Sequence, residues 1–367
     1  MSKGYVIAGA GLAGITLAER IASQLKKPVV LLEKREAPGG NIRDEINKEG
    51  ILVQRYGPHV FHTNDREVYE YLSRFTDWRA YHHRVLAWVD GKYIPLPITL
   101  ETLDKLYDRD FTPQEAEAFI AARRIPLERI HTSRDVALAA IGEELYEKIF
   151  RNYTRKQWGM DASELDASVI SRIPIRYNHD TRYFTDTYQG VPRRGFTKMV
   201  ERMLENPLIE LRCGVDYNEV RDKFAGQTLI YTGPIDAYFG FCCGPLAYRS
   251  IRFEFETLPR ASYQPEAVVN YPNDYDFTRI TECKKLSGQQ HPRTTILREY
   301  PCAEGEPFYP FPNAACRALY ERYRALASGE KNVYFLGRLA EYRYYNMDET
   351  VRSALDLFER LKKEAQD

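Results

Sequence analysis

The chain has 367 residues, more than one hydrophobic core usually supports, since single cores stop growing near about 250 to 300 residues. Its 52 lysines and arginines balance 52 aspartates and glutamates, which excludes the bulk positive field that a duplex nucleic-acid binder needs. With 44% apolar residues the composition suits a soluble globular protein of two or three domains with no nucleic-acid partner.

The N-terminus passes directly into a strand-like Tyr5-Val6-Ile7-Ala8, so no signal peptide is expected. No apolar run approaches the roughly 18 to 20 residues of a membrane span, so no membrane association is expected either. Cys213, Cys242, Cys243, Cys283, Cys302 and Cys316 show no Cys-x-x-Cys spacing. Few, scattered thiols in a long chain suit a reducing compartment, which points to the cytoplasm.

After the first strand comes the turn Gly9-Ala10-Gly11-Leu12-Ala13-Gly14, an amphipathic stretch to about Leu25, and a second strand from Val29 to Leu32 ending at Glu33. Gly9, Gly11 and Gly14 suit a tight turn, close approach of backbone to a pyrophosphate, and tight packing of helix on strand. The phosphates would meet the helix N-terminus. Glu33 lies 19 residues beyond Gly14, placed for a ribose hydroxyl. A dinucleotide cofactor is therefore expected, although spacing alone does not choose between nicotinamide and flavin.

His59 and His62 stand three apart in Gly57-Pro58-His59-Val60-Phe61-His62-Thr63. A metal site needs three or four ligands, and no further Cys, His or acid falls nearby at ligand spacing, so no metal is expected. A neutral imidazole at a cofactor edge, or a packed structural histidine, fits better.

From about Thr99 to Asp166 the texture is charge-rich and helical. Thr112-Pro113-Gln114-Glu115 is a helix start, and Ile141 to Tyr153 reads as a further helix, together an inserted helical domain. Tyr153-Thr154-Arg155-Lys156-Gln157-Trp158-Gly159 follows, then Ser171 to Arg176 and Tyr183-Phe184. Such aromatics can stack on a pyrimidine, and an arginine fork matches a diphosphate; the same residues also serve surface and packing roles.

From about Ser168 to Tyr309, β-type segments at Leu229 to Thr232, Val268 to Tyr271, Thr278 to Glu282 and Thr294 to Tyr300 alternate with Pro and Gly. Near the C-terminus the strand Val333 to Leu336 ends in Gly337-Arg338, and a helix from about Met347 to Lys362 is capped by Asn346 with Glu349.

The glycine turn, Glu33-Lys34-Arg35, Gly57 to Thr63, Tyr153 to Gly159, Tyr188-Gln189-Gly190, Tyr231 to Asp236, Phe308-Tyr309-Pro310 and Gly337 to Asp348 together closely resemble the bacterial UDP-galactopyranose mutases, in order and over nearly the whole chain. The resemblance implies an α/β fold: a Rossmann-like FAD-binding domain (1–80, 208–240 and 330–367), an inserted helical substrate domain (99–166), and a strand-rich antiparallel layer (81–98, 167–207 and 241–329) with a mobile lid near Arg172.

It also implies FAD, active when reduced by an external reductant. The expected activity is interconversion of UDP-galactopyranose and UDP-galactofuranose without net redox change, in galactofuranose supply for surface polysaccharide, by a cytoplasmic homodimer. Gly9, Gly11, Gly14, Glu33, Lys34, Gly40, Asn41, His59, His62, Arg338 and Met347 are implied cofactor residues, the last at a helix end able to face an anionic flavin. On the substrate side, Arg172 and Arg279 match diphosphate-binding arginines and Tyr153 a uracil-stacking tyrosine. Thr154, Trp158, Tyr183, Tyr309 and Tyr344 match residues lining the pocket.

The family's chemistry is attack of reduced flavin N5 on the anomeric carbon, displacing UDP, with Arg172 and Arg279 as the charge clamp. His62 is the side chain to test for proton transfer. Two departures stand out: Asn346 replaces an aspartate common in the family, and Gly240-Phe241-Cys242-Cys243-Gly244 replaces a more polar run. Alternatives are a mutase for UDP-N-acetylgalactosamine or a dTDP-6-deoxysugar, an FAD-dependent oxidoreductase, and a non-catalytic nucleotide sensor.

Overall fold

The computed structural model describes residues 4–171 and 174–365; Arg172 lies outside them. Among the described residues the strands Tyr5–Ala8 and Val29–Glu33 form the centre of a parallel sheet. They read as near-continuous apolar runs because both faces are covered, with Val6, Ile7 and Leu31 wholly buried. Ile209–Cys213 flanks one side, and Thr228–Tyr231 then Val333–Phe335 the other.

The helix Leu12–Arg20 runs on through a π turn at Ile21–Leu25, ending where the periodicity places it. Its Ile15 and Ile21 share a core with Val351 and Phe358 of the C-terminal helix Met347–Glu364.

A second sheet runs, strand by strand, Tyr309–Pro310, Tyr248–Leu258, Thr294–Cys302, Arg279–Glu282, Val268–Asn270, Val85–Val89 and Lys92–Leu96. The layer expected to be antiparallel is mixed, because Val268–Asn270 pairs in parallel with Val85–Val89. The short strands Phe61–Thr63 and Trp78–Ala80 both pair with Tyr188–Pro192.

The helical region departs from expectation at one position. Helix starts at Ser133, well before Ile141, and is broken at Gly142, whose φ of 77° and ψ of 174° are not helical. A Cβ there would lie 2.2 Å from the Arg123 carbonyl oxygen, so close backbone approach demands glycine. Helical turns resume beyond it and pass through the π segment Tyr146–Arg151 into Asn152–Trp158. That places Tyr153, Thr154 and Trp158 on one terminal helical stretch. Among the described residues no helix is long and apolar enough to cross a membrane.

Candidate active site

A cleft of about 1510 Å³, counting the open solvent at its mouth, runs along the C-terminal ends of the parallel strands, where open α/β sheets bind ligands. The glycine turn forms its floor, and its three glycines differ in what surrounds them. A Cβ on Gly9 would meet Thr232 Oγ1 at 2.0 Å, and one on Gly14 would meet the Gly9 carbonyl oxygen at 2.0 Å. At Gly11 a Cβ would meet nothing within 4 Å, because that Cα faces the cleft. Gly11 also caps the helix Leu12–Arg20 without a side-chain acceptor, leaving first-turn N–H groups available to an anion. Gly40 presses on the turn from the other side; its Cβ would lie 2.8 Å from Gly11 Cα.

Glu33 is buried, and its two carboxylate oxygens accept from the Ala10 amide at 2.8 Å and the Arg35 amide at 2.9 Å. The acid thus braces the turn as well as lining the cleft. Lys34 and Asn41 line it too, and Asn41 Oδ1 accepts from Arg35 Nη2 at 3.1 Å. Arg35 lies over the Tyr56 ring at 4.2 Å and pairs with Glu306. Glu306 was not foreseen, since it reaches the cleft from a loop 271 residues away, and Asp216 to Asn218 likewise enter from a connection with no motif.

At the far end Met347 opens the C-terminal helix. The Asn346 backbone amide donates to Glu349 Oε2 at 2.8 Å, a contact that does not depend on whether residue 346 is asparagine or aspartate. Arg338 donates to the carbonyls of Phe308 and Tyr345, and its guanidinium lies 5.2 Å from the Tyr309 ring centre and 5.1 Å from that of Tyr344. Tyr309 and Tyr344 stack at 5.7 Å.

His59 joins this cofactor cleft to a second cluster. Its Nδ1 lies 3.0 Å from the Gly57 carbonyl oxygen, which assigns the proton to Nδ1 and leaves Nε2 as acceptor. Burial, with Arg338 and Arg279 nearby, lowers its pKa to about 4, so the ring is neutral near pH 7.

Arg279, at the start of Arg279–Glu282, lies opposite Glu299 of the neighbouring strand, with Nε 2.7 Å from Oε1. Burial pulls the guanidinium pKa down, but Glu299 more than offsets this and the net shift is upward. Tyr153, raised by burial, sits in the electrostatic field of Arg279, Tyr183 and Tyr309 and stays a neutral phenol. Trp158 meets Tyr309 edge-on at 6.5 Å. Thr154 is buried.

His62 is not among the cleft-lining residues. Its ring stacks on Phe184 at 3.6 Å, and Nδ1 lies 3.0 Å from Asp186 Oδ2. Beside it, His83 is buried between Tyr183 and Phe184. Burial, with Arg279 and His62 nearby, lowers the His83 pKa to about 3. His83 was missed because His82-His83 carries no local signal; it lies between the strands Trp78–Ala80 and Val85–Val89, where its carbonyl accepts from the Tyr183 amide at 2.7 Å. Among the described residues no group of three His, Cys, Asp or Glu is placed to hold a metal ion.

Residues 148–344 match the family model for UDP-galactopyranose mutase, and residues 7–75 match an NAD(P)-binding Rossmann-like domain. The chain is 38% identical to a probable UDP-galactopyranose mutase of Klebsiella pneumoniae, covering 96% of this chain and 93% of the relative. It is 33% identical to the dTDP-fucopyranose mutase of Escherichia coli, covering 97% of each. A crystal structure of reduced UDP-galactopyranose mutase superposes with a TM-score of 0.78 at 16% identity, covering 100% of this chain and 97% of that one. The chain belongs to the UDP-galactopyranose mutase family and is a flavin-dependent mutase whose cofactor is FAD.

Proposed function

We propose that the chain interconverts UDP-galactopyranose and UDP-galactofuranose with no net redox change. One observation carries this reading: Arg338, which lines the cofactor cleft, lies 5.2 Å from the ring centre of Tyr309, and Tyr309 in turn meets Trp158 of the aromatic cluster. A dinucleotide site and a cationic, tyrosine-lined site therefore adjoin.

FAD, when bound and reduced, supplies a nucleophilic nitrogen for the anomeric carbon, a capacity no side chain of the site matches. The Gly11 backbone and the first turn of Leu12–Arg20 would hold its pyrophosphate, Glu33 would take a ribose hydroxyl, and the N-terminus of Met347–Glu364 would favour negative charge on the ring. Arg279 stabilises the diphosphate as it leaves and retains it for recapture. The family resemblance gives Arg172 the same task. Tyr153 stacks on the uracil, while Thr154, Trp158, Tyr183, Tyr309 and Tyr344 close around the nucleotide sugar. Asp186 orients His62, which holds or relays a proton between sugar hydroxyls. On this reading the enzyme works in the cytoplasm as a homodimer, an external reductant keeps its flavin reduced, and its product feeds surface polysaccharide.

The dTDP-fucopyranose mutase relative supports a second reading, action on a dTDP-6-deoxysugar. Reduced holoenzyme is given UDP-galactofuranose and dTDP-fucofuranose separately and the products are chromatographed. Formation of UDP-galactopyranose at the higher kcat/KM is expected; preference for the thymidine sugar would transfer the assignment, and no product from either would refute both.

A further inference from the structure

Arg249, which carries no implied role, is buried at 6% exposure in the strand Tyr248–Leu258. Among the described residues no carboxylate lies within ion-pair distance of it. A buried guanidinium without a counter-charge is costly unless its donors are otherwise satisfied, and burial shifts its pKa downward.

Two of its donors are met by one end of one helix. Nε donates to the Gln157 carbonyl at 2.9 Å and Nη2 to the Lys156 carbonyl at 3.2 Å. These are among the last carbonyls of Asn152–Trp158, which lack partners within the helix. The Gly159 amide, in the left-handed turn at φ 71°, takes the Arg155 carbonyl. Arg249 thus completes the C-cap of the helix that bears Tyr153 and Trp158, where a cation also complements the helix dipole.

The backbone of the same residue reaches the other side of the aromatic cluster. Arg249 pairs with Tyr309 in the register of the two strands, and its carbonyl accepts from the Phe308 amide at 2.9 Å. One residue therefore fastens the Tyr153 and Trp158 helix to the strand that presents Tyr309.

We infer that Arg249 is a positioning residue that sets the spacing between the Asn152–Trp158 helix and Tyr309, and thereby the affinity for the nucleoside diphosphate. This rests on the proposal that the cluster binds the UDP part of the substrate. The nucleoside does not react, so it is held equally in ground and transition states, and loosening it should raise KM while leaving kcat near its original value.

The test uses FAD-loaded Arg249→Met and Arg249→Lys enzymes, with UDP affinity measured on the oxidised holoenzyme and KM and kcat on the reduced one. For Arg249→Met, a rise of about tenfold in both the UDP Kd and KM is expected, with kcat within about twofold and an unchanged flavin-to-protein ratio. Lysine keeps the charge but not the fork, so Arg249→Lys should fall between. A UDP Kd within about twofold of wild type in both variants, or a loss confined to kcat, would overturn the inference. Should Arg249→Met fail to fold, the Arg249→Lys affinity decides alone, a rise of about threefold being expected and no change overturning it. Wild-type holoenzyme that binds no UDP would instead refute the underlying assignment of the cluster.

Discussion

Arg279 and Glu299 face each other in register on neighbouring strands, Nε to Oε1 2.7 Å, and the carboxylate is 1% exposed. The carboxylate fixes the position and charge of the guanidinium, and the guanidinium lets the carboxylate be buried. Neither is expendable singly.

Arg279→Ala should therefore do two separable things. Turnover should fall by about 10² or more through loss of an electrostatic contact in the transition state. Stability should fall by about 3 kcal/mol, because Glu299 is left buried and unpaired. The double variant Arg279→Met with Glu299→Leu should recover most of the stability and none of the turnover. Urea unfolding beside steady-state rates checks both; wild-type-like turnover in either variant would refute the clamp.

The glycine turn predicts a split between folding and cofactor binding. Gly11 has an extended backbone, φ −80° and ψ 179°, with open space where a Cβ would go. Gly11→Val should fold with the apoprotein Tm of wild type yet retain about tenfold less FAD, because the branched side chain fills the approach to the helix N-terminus. Gly14→Val collides with the Gly9 carbonyl and should yield no folded protein. Equal flavin content in Gly11→Val and wild type would show that the pyrophosphate does not approach there.

Stability should depend on pH through His83 and His59, whose rings stay neutral in the folded chain. His83 titrates near 6.5 when unfolded and at about 3 when folded. As pH falls below about 6.5 the unfolded chain takes up a proton that the folded chain does not. The stability associated with the neutral ring is thus complete above about pH 6.5 and lost progressively toward pH 3; His59 behaves likewise toward about pH 4. The urea midpoint should drop between about pH 7 and pH 5, and drop less in His83→Gln. An identical drop in the two proteins would show that His83 is not buried neutral.

The parts of this architecture legible in the sequence are those encoded by local chemistry. The first βαβ unit could be read from Gly9 to Glu33 because each glycine answers a local steric demand. The helix at Met347 was legible from its Asn346 and Glu349 cap. The long strand Tyr248–Leu258 was overlooked, although Phe253 and Phe255 alternate with Arg252, Glu254 and Glu256, a period of two that predicts a strand. The break at Gly142 was hidden because it depends on the Arg123 backbone, distant in sequence. Glu299, Glu306, His83 and Arg249 escaped for the same reason: strand register and loop packing give them their partners, and no motif records those.

The proposed chemistry depends most on the oxidation state of the flavin, because a reduced ring would supply the electron density that the anomeric carbon needs. The decisive measurement is conversion of UDP-galactofuranose by one holoenzyme preparation, assayed air-oxidised and after anaerobic dithionite reduction, with product resolved by chromatography. UDP-galactopyranose should form in the reduced sample and almost none in the oxidised one; equal rates in the two states would contradict the account.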